Sequence, residues 1–519
     1  MSFRLLSGNL DGIAGRIVEV EVDLIPALSS FVISGLPGKG IRESRERIRS
    51  ALENSGYRYP DRHRIVVNLA PATWQKDGAV FDLPIALAIL AASGQVPAEA
   101  LGRWAALGEL ALDGRIRKVP GALGIVTTLQ KTAVAAVVVA ADDLGEVRQV
   151  TGIRSEGVRN LRQAVSVMAE GAAGTEVVDH RSVSDTAVAA KPDLADVKGH
   201  GAIRRALEIA ATGEHPMLMV GPPGSGKSFL AGRLPSILPP LDQAERLEVT
   251  QIRDVCGLHQ EQGLVRDRPF RCPHHSVSSA GLVGGGSPPV PGEVTLAHRG
   301  VLFLDEFPEI SRRSLEALRE PLEAGEVTLS RSQFSRTFPA RFLLIAAMNP
   351  CPCGGVLRPS SPPWQQRRGD RRQRCRCSTA VLSSYAARIS GPLLDRFDIR
   401  VPIQPISSDV LFDEGGAAAE SSHQVAERVV RARKRREQRG QKSTNRDLEW
   451  KDRQRWAPLS SGAKQFFIDC GDEGGLTTRG MTRLLRLSRT ISDLRGGDLI
   501  EESDLIEALS LRGTGRIET

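Results

Sequence analysis

MLMVGPPGSGKS, residues 217–228, joins a short apolar run to a glycine-rich loop that ends in a lysine and a serine. The apolar run predicts a strand, and the spacing GxxxxGK[ST] between a strand and a helix predicts a phosphate-binding P-loop. Glycines let the backbone amides turn toward the phosphates, and the amino terminus of the following helix adds partial positive charge. The predicted loop comprises Gly221, Pro222, Pro223, Gly224, Ser225, Gly226, Lys227 and Ser228.

Two further apolar runs end in polar residues that suit ATP hydrolysis. In the P-loop, Lys227 is expected to reach the β- and γ-phosphates, and the Ser228 hydroxyl to ligate Mg²⁺. VLFLDEF at 301–307 places Asp305 and Glu306 at a strand end, where Asp305 suits the metal and Glu306 suits polarising the attacking water. FLLIAAMN at 342–349 ends in Asn349. A glycine turn and a solvated acidic turn are the alternatives, which the order of the motifs disfavours.

These motifs together resemble the YifB/ComM family of magnesium-chelatase-like AAA+ ATPases over nearly the full length of the chain. The resemblance implies an ATP-driven ring, a hexamer in this family, and in the ComM branch a DNA motor that moves branch points during homologous recombination of incoming single strands. The stretches that carry it are VEVEVDLIPALSSFVISGLPGKGIRESRERIRSAL, GPPGSGKS, FRCPHHSVSSAGLVGGGSPPVPGE, GVLFLDEF, FPARFLLIAAMNPCPCGG and SGPLLDRFDI.

The same resemblance implies roles for three more polar residues. Asn349 matches sensor 1, which lies beside Glu306 and helps to orient the water. Arg396 in SGPLLDRFDI matches the arginine finger that reaches the γ-phosphate of the neighbouring subunit. Arg479 in LTTRGMTRLLR matches sensor 2 and is expected to act within its own subunit, with Arg483 as the competing candidate.

The predicted fold class is α/β, with an AAA+ P-loop core and a helical lid behind a Lon-protease-like domain of the ribosomal protein fold type. Residues 1–167 form the Lon-like α+β domain, 168–192 a linker, 193–405 the ATPase core with a cysteine-rich insert at 351–377, and 406–519 the helical lid.

The N-terminal domain is not expected to cleave peptides. A Lon-type protease needs a serine nucleophile and a lysine base within hydrogen-bonding distance. In the matching stretches, Val80 stands at the serine position and Leu123 at about the lysine position. Neither side chain can attack a peptide or accept a proton.

Two CxC pairs predict a structural zinc site, because four thiolates suit tetrahedral Zn²⁺. They are Cys351, Cys353, Cys375 and Cys377. A metal can close a polar loop that has few apolar residues. Four unliganded thiols are the alternative.

Several basic residues are candidates for contact with DNA phosphates. Arg331 lies in 326–342, which is predicted to form a β-hairpin similar to the pre-sensor hairpin of the minichromosome maintenance helicases. A solvated surface is the alternative for all of them, and for the charged helix at 425–439. The adjacent His274 and His275 are expected to point apart and to have a structural or loop-positioning role rather than to bind metal. The cysteine-rich loop contributes Arg367, Arg368, Arg371 and Arg372.

Composition limits the remaining choices. The 519 residues carry a net charge of +8, which permits an anionic partner such as nucleic acid. Seven cysteines without an export signal argue against a disulfide framework, and no apolar run is long enough to cross a bilayer, so a cytoplasmic protein without a membrane partner is expected. The rivals to a DNA motor are the ATPase subunit of a metal chelatase and a protein-remodelling ring.

Overall fold

A computed structural model describes residues 2–170, 192–258, 263–331, 334–355, 375–406, 420–472 and 476–512. The strands are β1 Ser2–Asp11, β2 Ala14–Pro26, β3 Ser30–Ser34, β4 His63–Ala70, β5 Trp104–Ala106, β6 Glu109–Leu110, β7 Ile116–Arg117, β8 Ala136–Ala140, β9 Arg154–Val158, β10 Met217–Val220, β11 Phe270–Arg271, β12 Gly284–Gly285, β13 Val290–Pro291, β14 Val301–Leu304, β15 Glu326–Arg331, β16 Phe334–Pro339, β17 Leu343–Met348 and β18 Ile399–Pro402. The helices are α1 Lys39–Arg42, α2 Ser44–Asn54, α3 Asp82–Ala92, α4 Ala98–Leu101, α5 Ala122–Leu129, α6 Leu144–Val147, α7 Leu161–Ala169, α8 Gly201–Gly213, α9 Lys227–Ala231, α10 Gln243–Val255, α11 Ser279–Val283, α12 Glu293–Leu296, α13 Arg312–Ala317, α14 Arg319–Ala324, α15 Thr379–Ala386, α16 Gly391–Leu394, α17 Ser422–Gln438, α18 Arg453–Trp456, α19 Ser461–Asp472, α20 Thr478–Arg495 and α21 Glu502–Arg512.

The described residues group into two compact units. The first takes in those of 1–186 and 243–265, and the second those of 187–242 and 266–519. The segment 243–265 therefore packs with the first unit although it lies inside the range predicted for the ATPase core. The predicted lid range belongs to the second unit and does not separate from it.

The first unit is built on a mixed sheet with the strand order β3-β4-β2-β1-β5-β8-β9. Alternation along β2 turns Val18, Val20 and Val22 into the core, as expected for a strand with one buried face. After its first residue, Asp82, helix α3 is apolar all round, and every residue of it is buried, as is typical of a helix at the centre of a core. The mixed α/β fold class predicted for the chain is confirmed, whereas the likeness of this region to the Lon protease stays a prediction.

The second unit contains a parallel sheet with the strand order β11-β14-β17-β10-β18. Strands β14 and β17 are buried along their whole length, which explains their continuous apolar sequences. Val220 pairs with Met348, and Leu304 with Ala346, so the carboxyl ends of β10, β14 and β17 lie nearly level. The residues that follow these strands therefore meet at one edge of the sheet.

The described helices include none with the length and apolar character needed to span a bilayer.

Candidate nucleotide-binding and hydrolysis site

Lys227 lies at the centre of the sheet edge where the three strands end. Its ammonium donates to the carbonyls of Gly221 and Pro222, at 2.7 and 2.9 Å, and to Oδ1 of Asn349 at 3.2 Å. Burial lowers the pKa of Lys227, and the nearby carboxylate of Asp305 opposes that change. The residue opens helix α9, and Gly224 and Gly226 of the loop before it have positive φ angles of 75° and 85°, which favour glycine.

Ser228 and Asp305 form the part of the site that suits a divalent cation. The Ser228 hydroxyl donates to Oδ2 of Asp305 at 2.5 Å, and Oδ1 of Asp305 accepts the backbone N–H of Glu306 at 2.8 Å. A hydroxyl and a carboxylate at this distance are oxygen ligands of the kind that Mg²⁺ takes beside nucleotide phosphates. The two residues therefore fit the predicted metal.

Glu306 has a left-handed backbone, with φ 49°, at the end of β14. A non-glycine residue in this region is strained, and such strain is concentrated at functional sites. The carboxylate is about half exposed, and its Oε2 lies 2.7 Å from Nδ1 of His275. The exposed part of the Glu306 carboxylate can therefore contact a water molecule, while its Oε2 contacts the imidazole of His275.

Asn349 joins the P-loop to the segment that carries the first cysteine pair. The Gly221 N–H donates to the Met348 carbonyl at 3.1 Å, and the Tyr385 hydroxyl donates to the Asn349 carbonyl at 3.2 Å. Gly354 packs so closely on the P-loop that an added Cβ would lie 2.7 Å from Cγ of Pro223. Lys227, Ser228, Asp305, Glu306 and Asn349 are therefore brought together as one site.

Arg396 and both sensor 2 candidates belong to a second, strongly basic group. Arg396 forms an ion pair with Glu323, while Arg483 is about nine-tenths buried and lies 3.6 Å from Asp395. Arg479 is exposed. Burial is the main cause that lowers the pKa of Arg396, and four neighbouring guanidinium groups lower it further: Arg319, Arg479, Arg483 and Arg446.

This arginine group stands apart from the P-loop in its hydrogen bonding. Among the residues that the structure describes, no hydrogen bond or ion pair joins Arg396, Arg479 or Arg483 to Lys227, Asp305 or Glu306. The expectation that Arg479 acts beside its own P-loop therefore stays a prediction, and the described link between Arg479 and Arg396 is the charge repulsion that helps to lower the pKa of Arg396.

The four cysteines predicted to bind zinc lie together. Their Sγ atoms are all within 4.8 Å of one another, and Cys353 Sγ lies 3.2 Å from Cys351 and 3.8 Å from Cys375. Tetrahedral Zn²⁺ with Zn–S bonds of about 2.3 Å needs sulfurs roughly 3.8 Å apart. Cys351, Cys353, Cys375 and Cys377 therefore fit the ion in both number and spacing.

Other predicted residues fall outside the nucleotide site. Residues 326–339 form the predicted hairpin from β15 and β16, with Arg331 paired to Phe334 next to its tip. Val80 and Leu123 are buried in the core of the first unit. The remaining DNA-binding candidates lie outside the described residues: Arg367, Arg368, Arg371 and Arg372.

His275 is the site residue that sequence reasoning did not identify. Adjacent histidines were expected to point apart, but the rings of His274 and His275 pack with centroids 4.0 Å apart. The available signal was the position of the pair, four to five residues after the start of β11, which runs beside β14. Neighbouring parallel strands carry their following residues to the same edge, so His275 meets Glu306 there.

Comparison with known proteins gives consistent matches along the chain. Family models match residues 193–411 (magnesium chelatase, subunit ChlI), 20–143 (subunit ChlI of Mg-chelatase) and 419–512 (magnesium chelatase, subunit ChlI C-terminal). YifB of Salmonella typhimurium is 40% identical over 509 residues, 98% of this chain and 96% of that protein. Rv2897c of Mycobacterium tuberculosis is 41% identical over 517 residues, 99% of each chain. Competence protein ComM of Haemophilus influenzae is 38% identical over 511 residues, 98% of this chain and 96% of ComM.

Proposed function

The chain belongs to the YifB/ComM family of magnesium-chelatase-like AAA+ proteins, and we propose that it is an ATP-hydrolysing ring motor that acts on DNA. Its work would be branch migration or strand separation in homologous recombination or natural transformation. One observation supports the ATPase activity in particular. Five residues lie together at the ends of three adjacent parallel strands: Lys227, Ser228, Asp305, Glu306 and Asn349.

The residues at this edge divide the hydrolytic work. Lys227 would hold the β- and γ-phosphates, and Ser228 and Asp305 would hold Mg²⁺, which would supply positive charge to the phosphate oxygens. Glu306 accepts a hydrogen bond from the attacking water and polarises it. The Asn349 amide positions that water and the Lys227 ammonium relative to each other.

Binding to DNA is supported by three observations of lower specificity. The relative from Haemophilus influenzae carries the name competence protein, the chain has a net charge of +8, and a hairpin with Arg331 near its tip precedes β17. Sequence-independent contact with phosphates needs only basic side chains, and the resulting affinity falls with salt. Arg367, Arg368, Arg371 and Arg372 are further candidates for the same contact.

Ring formation, as a hexamer, is supported by the arginine group. Several guanidinium groups lie close enough to Arg396 to lower its pKa, and a mutual repulsion of this kind is relieved by an anion. We assign that anion to the γ-phosphate of the neighbouring subunit's ATP. Because Arg479 lies in this group, we assign it to the same nucleotide as Arg396, rather than to its own subunit's ATP.

Zinc at the four cysteines would have a structural role. The ion would fasten residues 351–353, which begin two residues after Asn349, to residues 375–377, just before α15. The first unit would not act as a protease, since Val80 and Leu123 offer neither a nucleophile nor a base.

The test is ATP hydrolysis by the purified chain with no DNA, with single-stranded DNA and with branched DNA, each at low and high salt. We expect stimulation by DNA that weakens as salt rises, and loss of hydrolysis in Lys227→Ala. Arg331→Ala should reduce the stimulation. Arg455→Ala, which removes the same charge from an exposed position on α18, serves as its control.

The outcomes separate the rival functions. A branch-migration assay follows if DNA stimulates hydrolysis. If no DNA changes the rate of ATP hydrolysis but a protein client raises it, the result would support a remodelling ring. If a metal-chelatase partner raises the rate, the result would support the chelatase alternative. Peptide cleavage would contradict the assignment of an inactive first unit.

A further inference from the structure

His275 contacts the carboxylate proposed to activate water. Its Nδ1 lies 2.7 Å from Oε2 of Glu306, within the distance of an ion pair between an imidazolium and a carboxylate. Both side chains are partly exposed, at 38% and 52%. An exposed glutamate otherwise samples several rotamers, so this contact restricts the direction of the carboxylate.

The turn that presents His275 is held on several sides. The His274 ring packs on the His275 ring, and Nδ1 of His274 pairs with the Ser276 hydroxyl at 2.8 Å. The Val277 N–H donates to the His274 carbonyl at 3.0 Å, and the Val277 carbonyl accepts the Ser314 hydroxyl at 3.1 Å. The turn that carries His275 is therefore tied to α13, and the position of its backbone does not depend on Glu306.

The backbone of Glu306 makes such a support necessary. Its left-handed conformation, φ 49°, carries strain. The backbone alone does not fix the side-chain torsions, and a misplacement of about 1 Å can reduce a rate by roughly a hundredfold.

We propose that His275 is a positioning residue for hydrolysis: its Nδ1–H holds Oε2 of Glu306, so that Oε1 faces the attacking water. This inference rests on the proposed ATPase function and adds a residue to its site. His275 does not touch ATP or the water, and it acts only through Glu306. Its loss therefore lowers the rate of the chemical step and leaves nucleotide binding intact.

The experiment compares kcat and KM for ATP in the full-length wild type, His275→Ala, His275→Asn and His274→Ala. We expect His275→Ala to reduce kcat by roughly tenfold to a hundredfold with little change in KM. An asparagine amide can place a donor near the position of Nδ1, so His275→Asn should recover part of the rate. His274→Ala removes the neighbouring ring, which makes no contact with Glu306, and should have the smaller effect.

A double-mutant comparison tests whether His275 acts through Glu306. In a Glu306→Gln background, His275→Ala should cause no further loss in single-turnover hydrolysis, because the group that it positions is already replaced. An independent further loss, an unchanged kcat in His275→Ala, or a rise in KM alone would each overturn the inference.

Failure of the proposed function has a different signature. A wild-type chain without ATPase activity overturns both proposals. A wild-type ATPase that ignores DNA overturns the DNA motor only, and the comparison of His275 variants then still stands on the basal rate.

Discussion

The Asp254 carboxylate joins two segments of the first unit that are far apart in sequence. It lies at the end of α10, accepts the backbone N–H groups of Gly121 and Leu123, and so caps the amino terminus of α5. Its other oxygen, Oδ2, is buried without a hydrogen-bond partner among the described residues. Asp143 and Glu146 lie nearby, with Lys118 as the opposing cation. The cluster therefore has more buried carboxylates than cations.

Burial is the main reason why the pKa values of Asp143 and Asp254 are higher than usual for a carboxyl group. It raises the pKa of Asp143 to about 7 and that of Asp254 to about 6, and the neighbouring acids add to both shifts. Because the pKa of each group is higher in the folded chain than in the unfolded chain, protonation of these carboxyl groups stabilises the fold. This stabilisation is complete below the unfolded pKa, near 3.8, and is lost as the pH rises through 6 and 7. The first unit should consequently be less stable at pH 8 than at pH 5.

We expect Asp254→Asn to remove part of this pH dependence. The amide oxygen can still cap α5, but no charge is buried, so the variant should gain roughly 1–3 kcal/mol over the wild type at pH 8 and little at pH 4. Thermal unfolding and hydrogen exchange of α10 at the two pH values provide the measurement. Asp142→Asn removes the same charge from an exposed neighbour of Asp143 and should leave the pH dependence unchanged. An equal gain for both variants would contradict the argument.

At the scale of elements, the local motifs were predictable and the long-range packing was not. The strands before Gly221, Asp305 and Asn349 were predicted correctly, because consecutive apolar residues determine a buried parallel strand. The hairpin of β15 and β16 was predicted as well. In α10, helical spacing indicates only that one face is buried, and nothing in the sequence shows that the face packs on α5. The partner of His275 escaped prediction for the same reason.

The segment after β17 is the element whose structure should depend most on metal. In this segment, Cys351 is buried and Gly354 packs on Pro223 of the P-loop. Four sulfurs would supply the ligands there if zinc is bound, and in a structural zinc site folding and metal binding are coupled.

We expect the purified chain to contain zinc in equimolar amount, and Cys375→Ser to lose most of it. Elemental analysis measures the metal, and limited proteolysis between 355 and 375 reports the loosened segment without reference to activity. Cys470→Ser changes a cysteine in α19, outside the cluster, and should retain the metal. Four thiols that stay fully titratable in the native chain, with no bound zinc, would contradict the site.

For the whole molecule, the basic group around Arg396 is the feature that bears on the proposed ring. Arg479 is among the guanidinium groups that help to lower the pKa of Arg396, and the described hydrogen bonds and ion pairs of Arg396 and Arg479 do not reach Lys227 or Glu306. In a cyclic ring with heterologous interfaces, one face of each subunit meets the opposite face of the next. If the P-loop lies on one of these faces and the group around Arg396 lies on the other, the two would meet at each interface of the ring. Each nucleotide site would then contain residues from two subunits.

Mixing of inactive variants tests this arrangement. Lys227→Ala and Arg396→Ala should each abolish hydrolysis, since an arginine finger contributes roughly 10³–10⁵ in rate. In mixed rings, an Arg396→Ala subunit retains Lys227 and can meet the intact Arg396 of a Lys227→Ala neighbour. At equal amounts, about a quarter of the interfaces should then be active. The absence of any recovery would contradict a shared site.

The same experiment decides where Arg479 acts. If Arg479 and Arg396 serve the same neighbouring nucleotide, then mixing Arg396→Ala with Arg479→Ala restores nothing, because no subunit carries both arginines on one face. If Arg479 serves its own subunit's ATP, the Arg396→Ala subunit supplies it and the Arg479→Ala neighbour supplies the finger, so about a quarter of the interfaces recover. The proximity of the two side chains leads us to expect no recovery in this pair. Recovery of hydrolysis in a parallel mixture of Arg396→Ala with Lys227→Ala would show that the subunits do mix.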